Sequence, residues 1–361
     1  MKLTDIIEKL YLKKNLYTSK DFFKKSLYWL FRLFRPFSKT VYVVGCPEYP
    51  NLGDSAILIA ELAFLKESGF TDNRIKCITE REFFDDRQVI RSWIGKKKLI
   101  CGLGGGNMGN QYYSEEKIRR ILLKDFSENP IIIFPQTIYY GGTTGAEEAE
   151  ESKRYYDNKE NLTLIAREKK SQEEMQRLYP GTKVLLTPDI VLSCTMKDFE
   201  VESNCHRKGV LLCVRSDAEK SMSDAEFDSF TKKLQNYGII CKKTDMYSDK
   251  EINSETRLDC IKRKMEEFVS AQIVITDRLH GMIFAAITET PCIVFSNYNH
   301  KVKGTYDWIK HLPYIKFAET IEEAEAYVPD LLTITDCRFD NERLLPLYNP
   351  IKEIIQDYLN K

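Results

Sequence analysis

Short runs of apolar, mostly β-branched positions recur along the chain, each followed by a polar turn and then by apolar residues at helical spacing. In the first half, Val41 to Val44, Lys98 to Leu103, Ile131 to Phe134, Leu162 to Ala166 and Val184 to Leu186 read as strands. A helix is predicted from Ser55 to about Lys66, with Ile57, Leu58, Leu62 and Leu65 at helical spacing. Between Ser193 and Lys208 the periodicity stops in a polar stretch, which marks a domain boundary. The alternation restarts with Val210 to Val214, and Ile239 to Lys242, Ile273 to Ile275 and Cys292 to Phe295 follow as strands. Helices are predicted over Phe227 to Tyr237, Ile252 to Met265 and Thr305 to Leu312. Strand, polar turn and helix in this rhythm predict parallel, doubly wound sheets. The chain therefore reads as α/β with two Rossmann-like domains, 40–195 and 207–335, and a tail, 336–361, whose last helix is expected to cross back to the first domain.

In such sheets ligands bind outside the carboxyl ends of the strands, so the turns leaving strands hold the candidate chemistry. After Ile273 to Ile275 come Thr276, Asp277, Arg278, Leu279, His280 and Gly281, and then an apolar helix. An Arg and a His two residues apart at a helix N-terminus can face one anionic ligand; a local Asp277–Arg278 ion pair is the plainer alternative. After Val41 to Val44, Asn51 and Asp54 stand at the mouth of a helix. Asp54 reads either as an N-cap or as a carboxylate placed to bind sugar hydroxyls or accept a proton. Gly104, Gly105, Gly106 and Asn107 follow another strand, where glycines allow close approach of a ligand to the backbone. The spacing is neither a dinucleotide fingerprint nor a Walker loop. Pro135-Gln136-Thr137 and Arg215-Ser216-Asp217 close two further strands. His300 and Lys301 fall in a polar segment after Phe295 that reads as a solvated loop.

Composition narrows the class. With 54 Lys+Arg against 54 Asp+Glu there is no basic excess calling for nucleic acid. The ten cysteines include no CxxC pair, which points to free thiols in a reducing, cytoplasmic compartment. Four histidines without paired spacing give no protein-built metal centre. Residues 1–39 differ from the rest, carrying a strong excess of Lys and Arg among Phe22, Phe23, Tyr28, Trp29, Phe31, Phe34 and Phe37. A basic, aromatic helix suits the interface of a membrane; it equally suits a helix docked on the domain with its lysines in water.

Taken together, NLGDSAI, GLGGGN, FPQT, AREKKS, LTPDIVL, VRSD and TDRLHGMIFA, in this order over roughly residues 41–310, resemble the polysaccharide pyruvyl transferase family. The resemblance implies a GT-B-like pair of domains facing a cleft. It implies transfer of pyruvate from phosphoenolpyruvate to two hydroxyls of a sugar in a surface polysaccharide or its precursor, forming a ketal and releasing phosphate. No cofactor is expected beyond phosphoenolpyruvate as co-substrate, and the acceptor is a sugar or a lipid-linked oligosaccharide. Phosphoenolpyruvate has two anionic groups, for which Arg215 and Arg278 are the expected anchors, aided by the backbone amides of Leu279 to Met282, Gly281 included. His280 is the expected proton carrier and Asp54 its counterpart on the acceptor side, with Asn51, Gly105, Asn107 and Gln136 toward the acceptor. A sugar-nucleotide glycosyltransferase of the same shape, and an inactive scaffold of a polysaccharide-assembly complex, are the rival expectations.

Overall fold

A computed structural model describes residues 39–203, 206–215, 223–236, 239–296 and 300–361. The predicted basic-aromatic segment, residues 1–39, lies outside the described residues but for Lys39, as do Ser216 and Asp217. The first lobe runs β1 (Val41–Cys46), α1 (Leu52–Glu67), β2 (Ile75–Thr79), α2 (Glu80–Asp85), α3 (Arg87–Ile94), β3 (Leu99–Gly102), β4 (Gly105–Gly109), α4 (Tyr113–Asp125), β5 (Ile131–Tyr139), α5 (Gly145–Tyr156), β6 (Leu162–Ala166), α6 (Lys169–Leu178) and β7 (Lys183–Leu186). The second runs β8 (Val210–Cys213), α7 (Asp224–Asn236), β9 (Cys241–Thr244), α8 (Arg257–Val269), β10 (Ile273–Thr276), α9 (Leu279–Ile287), β11 (Cys292–Phe295), α10 (Lys301–Ile309), β12 (Ile315–Ala318) and α11 (Ile321–Thr333). The tail ends in α12 (Asn349–Asn360).

Seven strands of the first lobe form a parallel sheet in the order β2-β1-β3-β5-β6-β7, with β4 added beside β5. The second lobe has a five-stranded parallel sheet, β12-β11-β10-β8-β9. Each central strand is buried along its whole length because helices cover both faces, so β1 and β10 carry apolar residues on consecutive positions. The strand order reverses between β1 and β3 in the first sheet and between β8 and β10 in the second. These are the points at which a doubly wound sheet opens a crevice at its carboxyl edge. The two lobes present these crevices to one cleft, a GT-B-like arrangement.

The lobes share one core rather than merely touching. Val41 and Val43 of β1, Ala56 and Leu58 of α1, Val274 of β10 and Phe284 of α9 belong to a single buried cluster. Helix α9 is apolar nearly all round and buried accordingly. Backbone bonds stitch the seam: Leu52 N–H donates to the Met246 carbonyl at 2.9 Å and Ser248 N–H to the Pro50 carbonyl at 2.8 Å. The tail binds the first lobe, with Ile351 and Ile355 buried and Tyr358 donating to the Thr40 carbonyl at 3.2 Å.

Several boundaries differ from the sequence pattern: the helix expected over Ile252 to Met265 runs Arg257–Val269, the strand expected over Ile239 to Lys242 is Cys241–Thr244, and two further shifts touch the site. Helix α1 begins at Leu52, not Ser55, because Asn51 caps it. Helix α10 begins at Lys301, not Thr305, which takes His300 and Lys301 out of a solvated loop.

Candidate active site

On the first lobe, the Asn51 side chain accepts from the N–H groups of Gly53 (2.9 Å) and Asp54 (3.4 Å). Asn51 is therefore the cap, and Asp54 is released from that duty. Asp54 sits in the first turn of α1 and faces the cleft, accepting a hydrogen bond on Oδ2 from the Tyr49 hydroxyl at 3.1 Å. Burial raises its carboxyl above the ordinary range; the charge of His280, the Tyr49 bond and Arg167 act in the other direction. Gly53 has its own reason: a Cβ there would overlap the His280 ring.

The glycine run after β3 is held from beneath. Gly104 N–H donates to Glu61 Oε1 at 2.7 Å, and Glu61 is fully buried, its carboxyl pushed well above the ordinary range mainly by that burial. Gly105 takes φ +143°, in the region that favours glycine. Gly106 lines the cleft, and a Cβ on it would overlap Arg167 Nη2. Asn107 also lines the cleft, with Oδ1 accepting from Arg119 Nη1 at 2.7 Å.

Arg167, which directly follows β6, is only 2 % exposed, and the sequence reading did not single it out. Its Nε donates to Thr137 Oγ1 at 2.8 Å and its Nη1 to Asp189 Oδ2 at 2.9 Å. The same Asp189 oxygen stands 3.6 Å from His280 Nε2. Burial pushes the Asp189 carboxyl up, but the nearby His280 ring, then Arg167 and the Val191 N–H, outweigh it and hold it at about 2. Tyr348 from the tail donates to the Asp189 carbonyl at 2.7 Å. One buried carboxylate thus holds an arginine of the first lobe and a histidine of the second. The signal for Arg167 was present in AREKKS, an arginine at a strand's carboxyl end like Arg215 and Arg278.

On the second lobe, Arg215 follows β8 and Arg278 follows β10, so the pair flanks the reversal point. Asp277 does not form the local ion pair that was the plainer alternative: its Oδ1 accepts from the Arg215 N–H at 2.9 Å, while Arg278 pairs with Asp245 at 2.8 Å. The Arg278 guanidinium also lies over the Tyr247 ring, 5.3 Å from its centroid. Lys301, the first residue of α10, is buried and lines the cleft. His300 reaches the first lobe, its Nε2 3.2 Å from Glu168 Oε1 and 3.3 Å from Ser171 Oγ. Trp308 adds a bond from Nε1 to the Arg167 carbonyl at 2.8 Å.

These groups enclose a cavity of about 440 Å³. Arg215, Arg278 and Lys301 give its second-lobe wall positive charge with His280 among them, Arg167 adds to it, and Asp54 and Glu115 stand on the first-lobe wall. Of the residues expected from sequence, Asn51, Asp54, Asn107, Arg215, Arg278, Leu279 and His280 line this one space. Three do not. Gln136 is fully buried behind the wall, donating to the Leu103 carbonyl at 2.7 Å. Gly105 is not among the lining residues, although a Cβ on it would stand 3.8 Å from Asp54 Oδ1. Gly281 faces Thr276, whose Oγ1 leaves no room for a side chain.

Two Rossmann-like lobes face an arginine-rich, histidine-bearing cavity at the carboxyl edges of their sheets, where doubly wound folds bind ligands. The model of the family described as polysaccharide pyruvyl transferase matches residues 51–300, and the chain belongs to that family. It is 33 % identical over 300 residues to General stress protein 30 of Bacillus subtilis, covering 81 % of this chain and 85 % of that one. It is 28 % identical over 272 residues to Pyruvyl transferase 1 of Schizosaccharomyces pombe, covering 72 % and 66 %. A crystal structure of an uncharacterized Klebsiella pneumoniae protein superposes with a TM-score of 0.54 at 17 % identity, covering 89 % and 100 %, a likeness of fold.

Proposed function

We propose that the protein transfers pyruvate from phosphoenolpyruvate to two hydroxyls of one sugar residue in a polysaccharide or its precursor, forming a cyclic ketal and releasing phosphate. The observation that carries this reading is the convergence of Arg167, Arg215, Arg278, Lys301 and His280 on a cavity faced from the other lobe by Asp54. A carboxylate and a phosphate on one small molecule need several fixed cations, and arginine forks suit both groups.

In this reading His280 delivers a proton to carbon-3 of the enol, and the first sugar hydroxyl adds to carbon-2 as Asp54 takes its proton. The carbon–oxygen bond to phosphate breaks, and the second hydroxyl closes the ketal. Of the two hydroxyl protons, one balances the new methyl group and the other leaves with phosphate. Asp189 holds the imidazole opposite the donor, and the arginines face the charge that develops on the departing phosphate.

A nucleotide-sugar donor fits less well. Gly104 N–H is taken by Glu61 and Gly106 lies against Arg167, so the glycine loop is a poor cradle for a diphosphate. A thermal-shift screen separates the donors: phosphoenolpyruvate should raise Tm, and UDP- and GDP-sugars should not. A shift with a nucleotide sugar alone would defeat the proposal, and no shift with any donor would favour the scaffold.

The site lies in a protein whose described helices include none long and apolar enough to cross a membrane. We place it in the cytoplasm, with residues 1–39 as a contact to an anionic membrane surface where a lipid-linked acceptor would be met. Co-sedimentation with anionic vesicles, lost on deleting that segment, is the expected result.

A further inference from the structure

Among the described residues, the exposed large apolar side chains are Phe84, Tyr112, Tyr113, Ile240, Tyr247, Leu332 and Leu345. Two of them, Tyr112 on the first lobe and Tyr247 on the second, line the catalytic cavity, and Tyr113 adjoins Tyr112. They are 36 %, 46 % and 62 % exposed. Tyr112 also occupies the N-cap of α4 and makes no side-chain cap bond, at a position where Ser, Thr, Asp or Asn would stabilise the helix.

The cavity supplies a reason. Its volume, about 440 Å³, is near the lower part of the small-molecule range of roughly 300–1,000 Å³. That space suits the donor and one sugar ring, so the remaining units of a polysaccharide must leave across the rim. A tyrosine offers a flat apolar face with a polar tip, suited to the C–H face and hydroxyls of a sugar. Glu115, in the first turn of α4, also lines the cavity and can accept from hydroxyls.

We propose that Tyr112 and Tyr113, with Tyr247 across the cleft, form an outer saccharide subsite that takes the sugar units next to the one being modified. This rests on the reading of the cavity as a pyruvyl transfer site. It makes the enzyme selective for an oligosaccharide over a single sugar.

The test is binding of gluco-, galacto- and N-acetylglucosamine oligosaccharides of increasing length to the full chain, followed by titration calorimetry. Affinity should rise about tenfold from the monosaccharide to the longer members of the best series, the gain of one good aromatic contact. Tyr112→Ala and Tyr113→Ala should flatten that rise, and Tyr112→Phe should keep it. The ratio of kcat/KM between oligosaccharide and monosaccharide acceptors should fall with it. No dependence on length in the native protein, or the same dependence in both folded alanine variants, would overturn the subsite. Phosphate release without length dependence would defeat the subsite alone; length-dependent binding without phosphate release would defeat the donor reading and leave the subsite standing.

Discussion

His280 of the second lobe lies against Gly53 of the first so closely that a Cβ at residue 53 would overlap its Nδ1. The imidazole is seated on the opening turn of α1, between that glycine and Asp189. Gly53→Ala should therefore push the ring from its place. A displacement of about 1 Å costs on the order of 100-fold in rate. Overpacking should cost about 1–3 kcal/mol of stability. Steady-state kinetics beside thermal unfolding checks both; a folded Gly53→Ala enzyme with normal kcat would show that the position of His280 is immaterial.

Arg278 and His280 should fail in different ways. Arg278→Ala removes a charged hydrogen-bond donor and should weaken phosphoenolpyruvate binding by about 1.5–3 kcal/mol. His280→Ala should lower turnover more than donor binding. Calorimetric donor affinity set against kcat separates them, and a His280→Ala enzyme with near-normal turnover would remove the proton-carrier role.

Asp189 predicts an acid limb of stability. Its carboxyl is held at about 2 when folded, below an unfolded value of about 3.9. The unfolded chain binds the proton first, so stability from this group is present above about pH 4 and is lost as pH falls toward 2, on the order of 2 kcal/mol in all. Asp189→Asn should be less stable at neutral pH and lose part of that acid dependence. Denaturant unfolding between pH 3 and pH 7 reads the difference; parallel curves for both proteins would contradict it.

Much of this site was legible in the sequence, because strand ends can be read from apolar periodicity and parallel sheets bind ligands there. That rule reached Asp54, Asn107, Arg215, Arg278 and His280, all of which line the cavity. Arg167 was hidden by its setting: AREKKS reads as a solvated helix start, and nothing in hydropathy shows that its first charge is buried on Asp189. Gln136 misleads for another reason. In a strand buried on both faces, alternation no longer tells which way a polar side chain points, and this one turns inward to Leu103. The short strand β2, with Cys77 exposed and Ile78 buried, is too weakly patterned to stand out.

Glu80 gives a pH response of opposite sign. Burial, then Glu115 and Asp54, raise its carboxyl to about 7. The folded protein holds this proton more tightly than the unfolded chain, so its contribution is full below about pH 4.5 and is lost as pH rises through about 7. Glu80→Gln should flatten the fall of Tm between pH 5 and pH 8, an effect that solvent screening keeps below about 2 kcal/mol. An unchanged Tm profile would mean that Glu80 titrates normally.

Phosphoenolpyruvate mixed with the full-length protein and a panel of polysaccharide-derived oligosaccharides, followed by phosphorus and carbon NMR, reads donor and product together. Stoichiometric inorganic phosphate, together with a ketal carbon bonded to two oxygens of one sugar ring, is the result expected from Arg167, Arg215, Arg278 and His280 acting on this donor. Intact phosphoenolpyruvate alongside nucleoside diphosphate released from a nucleotide sugar in the same cavity would contradict it.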